Sequence, residues 1–209
     1  MREGSALDGS AASAPFPFRL VLASSSPRRR DILAAHGLDF EVWPPAVEES
    51  LDASLPLAEL PFALEALAMD KARSVARQLP GADAAVVMAA DTVVYCDGLL
   101  GKPRDHGHAV EMLLALRGRA HFVLTAVALI KLPGGLEAVF TDQAEVRFGD
   151  YGLAEIEAYI EAEPPYDKAG AYAIQGLWGR HVVGLSGDIE TVIGLPFSRL
   201  AEALAGLLR

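Results

Sequence analysis

LVLASSSPRRR, residues 20–30, is the stretch whose reading decides the fold. Leu20 to Ala23 form a short apolar run that reads as a buried strand. Ser26 and Pro27 read as N-cap and first helical position, because serine accepts from orphan amides and proline has no amide to lose. Arg28, Arg29 and Arg30 then fall in a first helical turn, where the dipole disfavours cations and something negative should compensate. Strand, serine-rich turn and helix together make a layout that binds phosphate, with a solvated basic patch as the other reading. Consecutive helical residues step by ~100°, so the three arginines fan over roughly 200° and cannot share one anion. Arg28 is the expected ligand. Arg29 is placed at the site's edge, in a pair with an acidic loop or in a subunit contact, and Arg30 in solvent.

Outward from this unit, the helix should run from Pro27 to His36 and close at Gly37, before a strand over Asp39 to Trp43. Leu60, Leu64, Leu67, Lys71 and Val75 recur at helical steps, predicting a helix over Pro61 to Gln78 that closes at Pro80 and Gly81. Lys71 lies within that apolar stripe, so it must either snorkel out or meet an anion in a cleft. Ala84 to Ala90 reads as a central strand interrupted by Asp91 and Thr92 and resumed at Val93 to Tyr95. A two-residue turn at Asp97 and Gly98 would set Tyr95 opposite Leu100 and Val93 opposite Lys102, bringing Lys102 near Asp91. Asp105 or a neighbour can cap a helix to about Leu116, Phe122 to Leu132 and Leu136 to Phe148 read as paired strands, and Leu153 to Glu161 as a helix. A glycine-rich segment with short strands follows from Lys168 to Gly194, and Ser198 to Leu208 closes as an amphipathic helix. Crossovers mixed with hairpins predict an α/β fold with a mixed sheet.

The chain has 209 residues, 52% of them hydrophobic, enough for one domain with a sizeable core. Residues 1–18 read as a flexible tail, and 19–209 as a single domain. With 18 Lys plus Arg against 28 Asp plus Glu, and a net charge of -10, no long nucleic acid is an expected partner. No stretch approaches the ~18 apolar residues of a membrane span. The single cysteine, Cys96, excludes an intramolecular disulfide framework, suits a cytoplasmic location and reads as structural.

Asp91 is the strongest catalytic candidate, since a carboxylate inside an apolar strand must be hydrogen-bonded, paired or on a metal; organising a turn is its bland alternative. Lys71, Lys102 and Lys168 each fall in a segment singled out on other grounds, leaving Lys131 as the one ordinary lysine. Cations around a carboxylate suit polyphosphate chemistry, in which positioning and charge neutralisation do most of the work. Glu48 and Glu49 read either as a solvated loop or as a source of a metal ligand. His106 and His108 read as a surface turn. Gln175, in a run of small residues from Asp167 to Gly176, could read a base edge or satisfy a bend.

Taken together, the segments LASSSPRR (22–29), ADTV (90–93), GKPRD (101–105), DKAGAYAIQG (167–176) and GLP (194–196) resemble the Maf family of nucleoside triphosphate pyrophosphatases, also called septum-formation proteins. The resemblance implies an elongated mixed sheet flanked by helices, in two lobes around a central cleft, the Maf/ITPase-like fold, often as a homodimer. It implies hydrolysis between the α and β phosphates with a divalent cation, Mg or Mn. Asp91 would be the general base or a metal-bound carboxylate, with Glu49 near the metal. Arg28, Lys71 and Lys102 would hold phosphates, with Lys102 and Lys71 beside Asp91 in the catalytic set. Ser24, Arg29 and Lys168 would line the substrate, and Arg28, Thr92 and Gln175 would tune its choice. The lysine and glutamine of the late motif resemble the branch acting on dTTP and UTP rather than the one acting on 7-methyl-GTP. Residues 187–192, GDIETV, depart from the family's commoner sequence there, and Trp178 stands where a small residue is usual, implying an altered pocket shape. A nucleotide-binding regulator of division and a phosphomonoesterase are the competing functions.

Overall fold

The computed structural model describes residues 18–47, 50–79 and 84–207. Strand β1 (Arg19–Leu22) leads through the serine turn into α1 (Pro27–Ala35) and the short β2 (Glu41–Val42), followed by α2 (Leu60–Ala76) and the long β3 (Ala85–Tyr95). Then come β4 (Leu99–Leu100), α3 (His106–Leu116), β5 (Ala120–Leu132), β6 (Leu136–Phe148) and α4 (Leu153–Ala162). Two 3-10 turns, Ala169–Ala171 and Leu177–His181, precede β7 (Val182–Ser186), α5 (Ile189–Ile193) and α6 (Phe197–Leu207). No described helix is long and apolar enough to cross a membrane.

The strands form one seven-stranded mixed sheet in the order β2-β1-β3-β5-β6-β7, with β4 also on β3. β1 runs parallel to β2 and β3, whereas β3, β5, β6 and β7 are successively antiparallel. The parallel pair needs a crossover, which α1, β2 and α2 supply; the antiparallel pairs need only hairpins.

Alternation divides β3 cleanly. Ala85, Val87, Ala89 and Val93 pack with α2 on one face. On the other face two separate cores lie side by side. Val86, Met88 and Ala90 join α1, α5 and α6, while Val94 joins α3, α4 and an aromatic group around Phe148, Tyr151, Tyr172 and Trp178. These two cores are the lobes, and the boundary between them is the cleft.

Several expectations need correction. β3 is not broken at Asp91 and Thr92: both pair in register with β5, opposite Ala126 and Thr125, so backbone pairing overrides the polar interruption. The β3–β4 hairpin is one residue off the two-residue register, with Tyr95 opposite Leu99 and Val94 opposite Leu100. Asp97 accepts a φ of 57° and Cys96 N–H donates to Gly98 O at 3.0 Å, so the loop holds three residues. His106 and His108 open α3 rather than a turn, with Asp105 accepting from the His108 amide. β2 keeps only two residues of the strand expected over 39–43. The late glycine-rich segment holds one strand, with helical turns elsewhere. Lys131 is not an idle surface group, since its ammonium donates to Leu207 O at 2.7 Å and pins α6 to the sheet. Pro80 and Gly81, expected to end α2, lie outside the described residues, as does most of the N-terminal segment.

Candidate active site

The site forms where β3 loses its neighbour. β1 pairs with β3 only as far as Met88, where Ala23 N–H donates to Met88 O, and β4 pairs with β3 only from Val94 onward. Along this edge Ala89 to Val93 therefore have no strand partner among the described residues. Asp91 and Thr92 occupy that window, pointing to opposite faces of the sheet by strand alternation.

On the α2 face, Asp91 meets Lys71. The ammonium lies 3.0 Å from Asp91 Oδ1, with the lysine side chain 2% exposed and the aspartate 15%. The lysine in the apolar stripe thus does not snorkel out; it is buried because a carboxylate is there to receive it.

On the other face stands the turn into α1. Ser26 holds the N-cap position and Pro27 the first helical one, as the sequence predicts, but the Ser26 hydroxyl makes no capping hydrogen bond and the first turn has no acidic residue. Ser24 is the working serine of the turn. Its Oγ accepts from Ser26 N at 3.2 Å and from Arg29 Nη1 at 3.0 Å. Arg29 is buried, donating also to Gly194 O at 2.9 Å and to Thr92 Oγ1 at 3.1 Å. Neither an acidic loop nor a subunit surface is needed to explain it: three segments of this chain meet on its guanidinium. Gly194 sits at φ 127°, a conformation that favours glycine, and a Cβ there would lie 3.3 Å from Thr92 Oγ1, a tight contact. Arg30 is exposed.

Arg28 reaches from α1 to the opposite lobe, donating to Asp167 Oδ2 at 2.9 Å. Lys168 donates to the other Asp167 oxygen at 2.6 Å. Partial burial pushes the Asp167 carboxyl up, but the hydrogen bonds from Lys168 and Arg28 outweigh it and hold the group below the ordinary aspartate value.

Two cavities meet along the open edge of β3. One, of about 180 Å³, is lined by Ser24 to Arg29, Asp91, Thr92, Lys102 and Asp167 to Ala169, with Tyr172 and Ile193. The other, of about 340 Å³, lies toward α2 and is lined by Leu51, Leu67, Leu99, Asp91, Thr92 and Lys102. Lys102 thus borders both, as its expected closeness to Asp91 requires, even though the hairpin register differs.

Of the residues singled out in the sequence, Ser24, Arg28, Arg29, Asp91, Thr92, Lys102 and Lys168 line one cleft, and Lys71 stands directly behind Asp91. Gln175 does not join them: it is exposed and lines neither cavity. Trp178 also lines neither cavity, being fully buried among Tyr151, Tyr159 and His181. Glu48 and Glu49 lie outside the described residues. Among the described residues no three His, Cys, Asp or Glu side chains gather as a metal set. Asp91, beside room for phosphate oxygens, still fits Mg²⁺, which commonly uses one or two carboxylates plus substrate.

Sequence reading missed Thr125, Asp142 and Thr191, which underlie Thr92. Thr125 had a signal: it is the one polar residue in the run Phe122 to Ile130. Thr191 sits in the unusual GDIETV segment, which forms α5 with Asp188 capping Glu190 N.

The fold and the site define an α/β protein with an anion-receiving cleft built around one carboxylate at a broken sheet edge. The chain belongs to the Maf-like protein family, whose model matches residues 19–207. It is 45% identical over 188 residues to the dTTP/UTP pyrophosphatase of Moorella thermoacetica, covering 90% of this chain and 94% of that protein. It is 46% identical to the dTTP/UTP pyrophosphatase of Anaeromyxobacter sp., covering 90% of this chain and 88% of the other. With the enzyme of the same name from Symbiobacterium thermophilum the identity is 45%, over 89% and 92% of the two chains.

Proposed function

We propose that this chain is a nucleoside triphosphate pyrophosphatase that hydrolyses dTTP and UTP to the monophosphate and pyrophosphate. The observation that carries the reading is Asp91 on the open edge of β3, faced by Lys71 on one side and by the Ser24 to Arg29 turn on the other. The similar proteins bearing the name dTTP/UTP pyrophosphatase supply the substrate class.

In this reading Asp91 orients the attacking water and takes its proton, while Lys71 balances the carboxylate from behind. Lys102 and the α1 turn receive phosphate oxygens: the turn offers a serine hydroxyl, helix-end amides with no Ser26 cap, and Arg28. Lys168 and Asp167 keep Arg28 aimed across the cleft. Asp91, with Glu49, would hold a divalent cation, Mg²⁺ or Mn²⁺. Such an ion supplies neutralisation of the phosphate charge when bound.

The deciding measurement is pyrophosphate release from a panel of triphosphates with Mg²⁺ or Mn²⁺. Release from dTTP and UTP ahead of the purine triphosphates is expected. Binding without any turnover would leave a nucleotide-binding regulator, and release of orthophosphate from monoesters would mark a different hydrolase.

A further inference from the structure

Two cations of the cleft share one carboxylate. Arg28 Nη1 donates to Asp167 Oδ2 at 2.9 Å, and Lys168 Nζ donates to Asp167 Oδ1 at 2.6 Å. Arg28 comes from the first turn of α1 and Asp167 from the turn after α4, so the pair bridges the cleft from one lobe to the other. All three residues line the same cavity as Ser24 and Asp91.

The three side chains are not equally covered. Arg28 is 26% exposed and Lys168 17%, whereas Asp167 is 55% exposed. The cations are the floor of the contact and the carboxylate is its outer cover. Among the described residues that cover is tied to no backbone amide, its oxygens accepting from Arg28 and Lys168 alone. Both cations keep a longer backbone contact of their own, Arg28 to Asp167 O at 3.5 Å and Lys168 to Pro164 O at 3.4 Å. The carboxylate can therefore swing out into water while the cations stay in place.

A carboxylate and a phosphate ask for the same donors, through anionic oxygens at hydrogen-bond distance. They cannot both take them. A phosphate brings more oxygens and more charge to a place that already favours anions, since the first turn of α1 has no acidic residue and the Ser26 hydroxyl caps none of its amides. Largely covered cations left without any anion are costly, so one anion must arrive as the other leaves.

We infer that Asp167 is a competitor built into the cleft: it holds the donors of Arg28 and Lys168 that a phosphate group uses, is exchanged for that group on binding, and takes the donors back when product leaves. The contact that aims Arg28 thus also limits how tightly the cleft can hold a phosphate chain. Asp167 makes and breaks no covalent bond, and it weakens substrate and pyrophosphate alike. Its removal should lower KM and tighten pyrophosphate together, whereas loss of an aiming contact alone would do the reverse to both. That the anion is the phosphate chain of a nucleotide rests on the function proposed above; the competition rests on the shared donors.

The test is Asp167→Asn in the full chain, which keeps shape and an acceptor while removing the charge. Calorimetry with inorganic pyrophosphate, at one fixed Mg²⁺ and salt concentration, should show an affinity about threefold or more above that of the unmodified chain, the scale of a partly screened ion pair. The KM for UTP should fall with it. A smaller gain, no gain or a loss overturns the inference. In an Arg28→Gln background the same substitution should gain clearly less, because one of the two shared donors is gone. An undiminished gain there would mean that the carboxylate acts by its field alone, and overturns the inference too. Asp167→Ser repeats the measurement if asparagine disturbs the turn. Pyrophosphate release from UTP is followed in parallel. Tighter pyrophosphate binding without any release sinks the enzymatic reading and leaves the competition standing, while release without the gain in affinity sinks the competition alone.

Discussion

Lys71 and Asp91 form an ion pair of unequal burial: the ammonium is 2% exposed and the carboxylate 15%, at 3.0 Å. The inequality decides which partner can be lost cheaply. Removing Asp91 leaves a cation with no route to water, whereas removing Lys71 leaves a carboxylate that the cleft can hydrate. Asp91→Leu should therefore cost about 3–5 kcal/mol, and Lys71→Met clearly less. Urea unfolding of the two variants checks the order; equal losses would contradict it.

Asp91→Asn keeps shape and a hydrogen-bond acceptor for Lys71 while removing the charge. Turnover of UTP should fall by about 100-fold or more, with nucleotide affinity changed far less. Steady-state rates and equilibrium binding read the two quantities separately, and a near-native rate would refute the role given to Asp91.

Gly194→Ala should destabilise by about 1–3 kcal/mol, because φ 127° is strained for any L side chain and the new Cβ would crowd Thr92 Oγ1. The same crowding displaces Thr92 and the carbonyl that receives Arg29. Thermal unfolding should show the stability loss and kcat/KM a parallel fall; unchanged values for both would mean that the segment relaxes freely.

His121 supplies a pH dependence unrelated to catalysis. It is buried against Phe148 and Tyr172, with Nε2 2.8 Å from the Tyr172 hydroxyl, and burial pushes its pKa down from 6.5 to about 4. Between these values the unfolded chain binds the proton and the folded one does not, so stability rises with pH. The contribution, on the order of 3 kcal/mol, is fully present above about pH 6.5 and lost as pH falls toward 4. His181, also lowered by burial, acts in the same direction. Replacing His121 by Phe should flatten the slope of stability across pH 4 to 6.5, measured by urea midpoints; an unaltered slope would falsify the assignment.

The chemistry of the cleft was legible where local rules coincide with tertiary placement. Ser24 to Arg29 could be placed because proline and the apolar run fix strand, turn and helix without reference to the rest of the chain. Lys71 could be flagged because a lysine in an apolar stripe demands an anion, although only the fold could name Asp91. The break expected at Asp91 and Thr92 failed because pairing along β5 outweighs the polarity of two side chains. The hairpin slipped by one residue because only Asp97 is left-handed, whereas a two-residue Asp-Gly turn needs a positive φ at Gly98 as well. Helix α5, with five residues, is too short for periodicity to reveal, so the Thr191 carbonyl behind Thr125 could not be foreseen. Gln175 was placed by its motif alone, and no local rule said where its side chain would point.

The guanidinium of Arg29 has a consequence for the order in which the protein becomes competent. It joins Ser24 and Thr92 to Gly194, a partner 165 positions further along the chain. During synthesis the serine turn and β3 leave the ribosome long before that carbonyl exists, so the early part of the chain cannot close the turn around Arg29. Competence arrives in one late step, when the segment around α5 docks. A nascent chain, or a fragment cut ahead of residue 187, therefore holds most of the cleft's residues and still lacks the assembled cleft.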